Sequence, residues 1–91
     1  MQPELKFFAT FREAVGEKTI EREYPDDATV GDVLEALVEE HPDLDVFEED
    51  GELRPHLSIL VNGRDVVHVD GLDTGLEDGD TLSVFPPVAG G

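Results

Sequence analysis

Thr81-Leu82-Ser83-Val84-Phe85-Pro86-Pro87-Val88-Ala89-Gly90-Gly91 closes the chain, and its reading decides the fold. Leu82 and Val84 alternate with Thr81, Ser83 and Phe85, the period-two pattern of a strand with one buried face. Pro86-Pro87 lacks the N–H groups that a ladder needs, so the strand stops at Phe85. The six residues after Phe85 are stiff at their root and glycine-rich at their end. A Gly-Gly end contributes nothing to packing, but with no Cβ it threads a narrow channel and leaves its carbonyl open to a nucleophile. A frayed terminus is the competing reading. Residues 86–91 are therefore expected to form an extended, flexible tail held out by a compact body.

Working back from that strand, Leu76-Glu77-Asp78-Gly79-Asp80 reads as a turn with Asp78-Gly79 at its tip. Leu57-Ser58-Ile59-Leu60-Val61 is a second strand ending in Asn62-Gly63, a tight-turn signal, with Asp65-Val66-Val67-His68 as a short return strand. Residues 43–56 form an acidic loop that Leu44, Val46, Phe47 and Leu53 pin to the core. Thr29 opens a helix as N-cap, with Asp32 three residues on completing a capping box. Val30, Val33, Leu34, Leu37 and Val38 then recur at helical spacing, and His41-Pro42 ends the run. Lys18 to Tyr24 alternates as a charged edge strand. Glu4 to Phe11 reads as the first strand, and Phe11 to Val15 as a helical turn closed by Gly16. The order strand, strand, helix, strand, short strand, strand predicts an α+β fold. One main helix covers one face of a mixed sheet of four to five strands, in a single domain spanning 1–91.

Composition excludes much. The 91 residues contain no cysteine, which removes thiol enzymes, disulfide scaffolds and cysteine zinc modules. His41, His56 and His68 have no metal-ligand spacing, so no metal is expected. Six basic against 23 acidic residues give a formal charge of −17, which argues against nucleic acid and anionic membranes as partners. With neither a secretory leader nor a membrane-length apolar run, the chain is expected in the cytoplasm. The acids are spread along the chain as a solvated shell. Self-repulsion of that size is tolerable where the screening length is about 3 Å, at molar salt, so a salt-loaded host such as a halophilic archaeon is expected.

At this point the motifs become recognisable. The run Leu76-x-Asp78-Gly79-Asp80-x-Leu82-x-Val84-Phe85-Pro86-Pro87-Val88-Ala89-Gly90-Gly91 resembles the C-terminus of the small subunit of molybdopterin synthase. It is equally similar to the small archaeal ubiquitin-like modifier proteins. Lys6-Phe7-Phe8-Ala9-x-Phe11-Arg12-Glu13-x-Val15-Gly16 matches the same families at the other end of the chain. Ala89, where bacterial subunits often carry Ser or Thr, and the acidic load place the chain nearer the archaeal proteins. The resemblance implies a β-grasp (ubiquitin-like) fold with the first and last strands as parallel neighbours at the sheet centre.

It also implies chemistry on Gly91, with Gly90 giving access. An E1-like enzyme, using ATP and Mg²⁺, adenylates the terminal carboxylate. The chain itself binds no cofactor and is a substrate, not an enzyme. Sulfur then yields a thiocarboxylate for a molybdopterin synthase large subunit or another sulfur acceptor, as in tRNA thiolation. Alternatively, a lysine of a target protein yields an isopeptide bond. A non-covalent binding module with an incidental Gly-Gly end is the other reading.

Strand parity places Phe8, Leu60 and Phe85 opposite Leu5, Phe7, Ile59, Leu82 and Val84. The three form a candidate apolar partner surface beside the tail residues Pro86, Pro87, Val88 and Ala89. Lys18 and Lys6 are the only side-chain amines and hence the candidate modification acceptors. For Arg12 and Arg64, contact with an acidic partner or pterin and pairing with local carboxylates both stay open.

Overall fold

The computed structural model describes residues 1–87. Five strands form one mixed sheet: β1 (Glu4–Phe7), β2 (Thr19–Glu21), β3 (Ser58–Val61), β4 (Arg64–Asp65) and β5 (Thr81–Phe85), in the order β2-β1-β5-β3-β4. β1 and β5 lie parallel at the centre, with Leu5 beside Leu82 and Phe7 beside Val84, and the other pairs are antiparallel. One long helix, α2 (Val30–Glu40), supplies the cover. This is the β-grasp arrangement that the resemblance implies.

α2 begins as its sequence dictates. The Thr29 side chain accepts from the Asp32 N–H, and the Asp32 carboxylate accepts from the Thr29 N–H. Val30, Val33, Leu34 and Leu37 are fully buried. They pack with Leu5, Phe7, Ile59, Leu82 and Val84 in one core, to which Leu44 and Val46 anchor the acidic loop. Removing each such side chain from water is worth about 1.5–3 kcal/mol. Gly31 belongs to the same packing: a Cβ there would stand 3.1 Å from the Leu72 carbonyl oxygen, so any side chain requires the Leu72 segment to move back by a few tenths of an ångström.

Three elements depart from expectation. The first strand ends at Phe7, not at Phe11. Ala9 takes φ 52°, and the N–H groups of Phe11 and Arg12 turn back to the Phe8 carbonyl. A second helix, α1 (Ala9–Val15), follows and buries Phe11; it closes at Gly16 (φ 91°), whose N–H reaches the Arg12 carbonyl. With the strand ended here, α1 carries Phe11 into the core.

β2 covers only Thr19–Glu21 of the expected 18–24, because its partner β1 starts at Glu4 and the preceding Pro3 has no N–H to offer. The return strand expected over 65–68 is reduced to Arg64–Asp65, and Val66–His68 is a 3-10 turn. There the Asp65 carboxylate accepts from the Val67 N–H at 3.0 Å, which buries Val66 and leaves Val67 outside. The Asn62-Gly63 turn is as expected, with φ of 51° and 85°. Its Asn62 side chain ties β3 to β5, donating to Asp80 Oδ1 and accepting from the Thr81 N–H, both at 2.9 Å.

Candidate functional site: the open sheet face and the root of the tail

Alternation carries each strand's second residue set to the face that α2 does not cover. Across that face the register aligns Asp65, Leu60, Ser83, Lys6 and Thr19 in one row. Phe85 lies one step further along β5, opposite Ser58. Phe8, in extended conformation just before α1, turns to the same side. The expected trio thus shares the open face, but it is not a freely exposed patch. All three residues are half-buried, and two of them cover each other. The Phe8 and Phe85 rings stack with centroids 4.2 Å apart and planes 5° from parallel. Such a pair is worth about 0.5–1.5 kcal/mol beyond its burial. Strand parity announces the shared face; the stack escapes it, because Phe8 belongs to no strand.

The candidate acceptor amines lie beside this surface. Lys18 is exposed, and its Nζ stands 5.9 Å from the centroid of the Phe8 ring. Lys6 is half-buried on the open face and pairs with Glu4 at 3.5 Å. Pro86 is half-buried and Pro87 exposed where the chain leaves the sheet. Val88, Ala89, Gly90 and Gly91 lie outside the described residues.

The remaining charges behave simply. Arg12 and Arg64 are exposed, and neither forms an ion pair among the described residues. Arg22 donates to Glu40 at 2.7 Å and holds that carboxyl below its usual range. Arg54 donates to Asp45 at 2.8 Å. No group of three His, Asp or Glu side chains suited to a metal ion occurs among the described residues. No helix there is long and apolar enough to cross a membrane. Val67 and Val69 are exposed apolar residues near the β4 edge, which the sequence reading did not single out.

A chain with a parallel β1–β5 centre and its last strand running directly into Pro-Pro-Val-Ala-Gly-Gly can be compared with known proteins. The model of the ThiS family matches residues 5–91. The chain belongs to the ThiS family. It is 60% identical over 92 residues to small archaeal modifier protein 3 of Haloferax volcanii, covering all of both chains. The crystal structure of SAMP1 from the same organism superposes with a TM-score of 0.86 at 43% identity, again over the whole of both chains. The sulfur carrier protein CysO of Mycobacterium tuberculosis is 44% identical over 41 residues, 45% of this chain and 44% of that protein. Family membership bears out the resemblance drawn from the two terminal motifs. The Haloferax relatives accord with the salt-loaded archaeal host expected from the acidic composition.

Proposed function

We propose that this ThiS-family chain is a ubiquitin-like modifier and sulfur carrier, whose working group is the Gly91 carboxylate. The observation that carries the reading is the placement of the last strand. β5 lies at the sheet centre, paired on both sides with β1 and β3, so the tail is rooted in a strand hydrogen-bonded along both edges. Phe85 is its final residue, followed at once by Pro86-Pro87. Six residues beyond Phe85 span roughly 20 Å when extended, enough to enter a partner's active site. The stiff proline pair lowers the entropy lost on entry. Relatives named as modifiers and as sulfur carriers support the same reading.

The chemistry comes from the group itself. An α-carboxyl with a pKa of about 3.3–3.7 is ionised at neutral pH and is a poor electrophile. An E1-like enzyme overcomes this by attack of the carboxylate on the α-phosphorus of Mg-ATP, releasing pyrophosphate and leaving an acyl-adenylate. Gly90 and Gly91 present no side chain to obstruct the carbonyl. A sulfur nucleophile then displaces AMP and leaves a thiocarboxylate for a molybdopterin synthase large subunit or another sulfur acceptor. A target lysine instead displaces AMP to form an isopeptide bond, and Lys18 and Lys6 are the acceptors on this chain itself. Phe8, Leu60, Phe85 and residues 86–89 form the docking surface for the activating enzyme.

Deleting Gly90-Gly91 tests the proposal. The shortened chain is expected to fold with an unchanged melting temperature yet to support no ATP–pyrophosphate exchange by the activating enzyme. Undiminished exchange without the two glycines removes them from the activation chemistry, and a cellular role that survives their loss without any exchange leaves the chain a non-covalent binding module. Mass spectrometry of the protein from its host separates the two products. Exchange of one oxygen for sulfur marks the carrier, and a Gly-Gly remnant on target lysines marks the modifier.

A further inference from the structure

Three features meet at the root of the tail. Phe85, the last residue of β5, lies under the ring of Phe8, nearly parallel and 4.2 Å away. Lys18 Nζ stands over the Phe8 ring at 5.9 Å. Directly after Phe8, Ala9 adopts φ 52°, a left-handed conformation that L-residues take only at a cost. Strain of this kind persists where the surrounding structure over-determines it, and it clusters where a side chain has to be aimed. Here it turns the chain into α1 directly after Phe8, whose ring faces Phe85. The backbone braces the same corner: the Phe7 N–H donates to the Lys18 carbonyl at 2.8 Å, fixing the origin of the Lys18 side chain relative to the stack.

We propose that Lys18, Phe8 and Phe85 form a clasp that fixes the direction in which the tail leaves the sheet, with Phe8 and Lys18 as positioning residues for the terminal carboxylate. The inference rests on the carrier reading above. Phe8 is in contact with both partners, stacking on the Phe85 ring and presenting its π system to the Lys18 ammonium, so one ring links Lys18 to Phe85. Without the clasp Phe85 is free to turn, and the direction in which Pro86 leaves the sheet is no longer fixed. Because misplacing a reacting group costs turnover without weakening binding, a loose root is expected to lower turnover more than docking.

A consequence concerns the acceptor amine. When the deprotonated Lys18 amine displaces AMP from an acyl-adenylate, an amide forms and a proton is released, leaving a neutral N–H where an ammonium stood. The clasp then loses its cation, so a copy modified at Lys18 becomes a slower donor through its own tail.

The full chain and three variants, Phe8→Leu, Lys18→Gln and Lys18→Arg, test this. One readout needs no enzyme: the NMR order parameter of the Phe85 amide and the ring-current shifts of the Phe85 ring protons. The other is kcat and KM for ATP–pyrophosphate exchange by the activating enzyme. Lys18→Gln is expected to lower the Phe85 order and to reduce kcat about two- to fivefold at nearly constant KM, the scale of an exposed cation–π contact. Phe8→Leu keeps an apolar side chain but no ring and is expected to do more of both. Lys18→Arg is expected to retain wild-type values. The proposal is overturned if Lys18→Gln matches wild type in Phe85 order, or if Lys18→Arg is as defective as Lys18→Gln. Should the wild-type chain support no exchange at all, the carrier reading fails, and the Phe85 order parameters still decide the clasp.

Discussion

On the side covered by α2, Leu5, Phe7, Leu82 and Val84 are fully buried, whereas on the open side Lys6, Phe8, Leu60, Ser83 and Phe85 are each only half-buried. The contrast extends beyond the sheet. The outer surface of α2 and the loop after it carry Glu35, Glu39, Glu48, Glu49, Asp50 and Glu52, all exposed. The open face carries Lys6 and an aromatic pair, with Lys18 beside it and Glu4, Glu21 and Asp65 in its strands. One side therefore holds the fold together and meets solvent through carboxylates; the other is kept lightly charged and partly apolar. Such a face suits docking by a highly acidic protein in concentrated salt. Apolar contact persists at molar salt, where charge steering does not.

The sharpest way to break this contrast is to cut each side once. Phe7→Ala removes a fully buried ring and is expected to cost about 3–5 kcal/mol, a large share of the total stability of a domain this size. Denaturant midpoints measure it, and the variant should be largely unfolded at modest denaturant. Leu60→Arg places a cation on the open face instead. Its cross-strand neighbour is Asp65, so the new charge has a partner, and stability should change by less than about 1 kcal/mol. Its KM with the activating enzyme should rise about tenfold, equivalent to ~1.4 kcal/mol of lost docking. Unchanged kinetics in a folded Leu60→Arg chain rule out this face as the docking surface.

The same contrast explains what could be read from sequence. Burial alternation was legible because Leu82 and Val84, like Leu5 and Phe7, have no polar alternative to the core. The capping box at Thr29 was legible because it is a local hydrogen-bond exchange between two residues three apart. The end of β1 was not. Phe8-Ala9-Thr10-Phe11 continues an acceptable strand pattern, and only the space beside β1 and β5 makes burial of Phe11 through α1 the better solution. Likewise Val66-Val67 carries strand propensity, but the Asp65 carboxylate caps a 3-10 turn that ends β4 while β3 still offers Ile59 and Ser58. The stack at Phe8 depends on two features of the first segment that local pattern does not carry: where the strand stops and which way Ala9 turns.

Salt should act mainly through the carboxylate-rich side. At about 0.1 M salt the screening length is near 10 Å, so the acids of α2 and the following loop repel one another; at 1 M it falls to about 3 Å. The melting temperature is expected to rise as KCl is added. Each kcal/mol of repulsion relieved is worth roughly 4–8 °C for a domain of this length. Replacing Glu48, Glu49 and Asp50 by their amides should flatten that dependence, whereas Lys6→Gln on the open face should not. An equal flattening by both variants erases the distinction between the two sides.

The smallest effect expected belongs to the Arg22–Glu40 pair, which joins the end of α2 to the chain just after β2. Arg22 donates to Glu40 through Nη2 at 2.7 Å and Nε at 3.3 Å, and this hydrogen bonding is the chief cause that lowers the Glu40 pKa from its ordinary 4.5. His41 Nε2, 3.6 Å from the same oxygen, adds to the effect when protonated. Because the folded-state pKa is the lower one, the unfolded chain takes up the proton first as pH falls. The pair's contribution is therefore complete above the unfolded value and lost as pH drops through the folded one. Both side chains are 43% exposed, so solvent screens the pair and the contribution is small. Glu40→Gln is thus expected to lower the melting temperature slightly at pH 7, by an amount that shrinks as pH falls through the lowered folded-state pKa of Glu40. A difference that does not shrink with falling pH assigns the residue's effect to packing at the helix end, not to its charge.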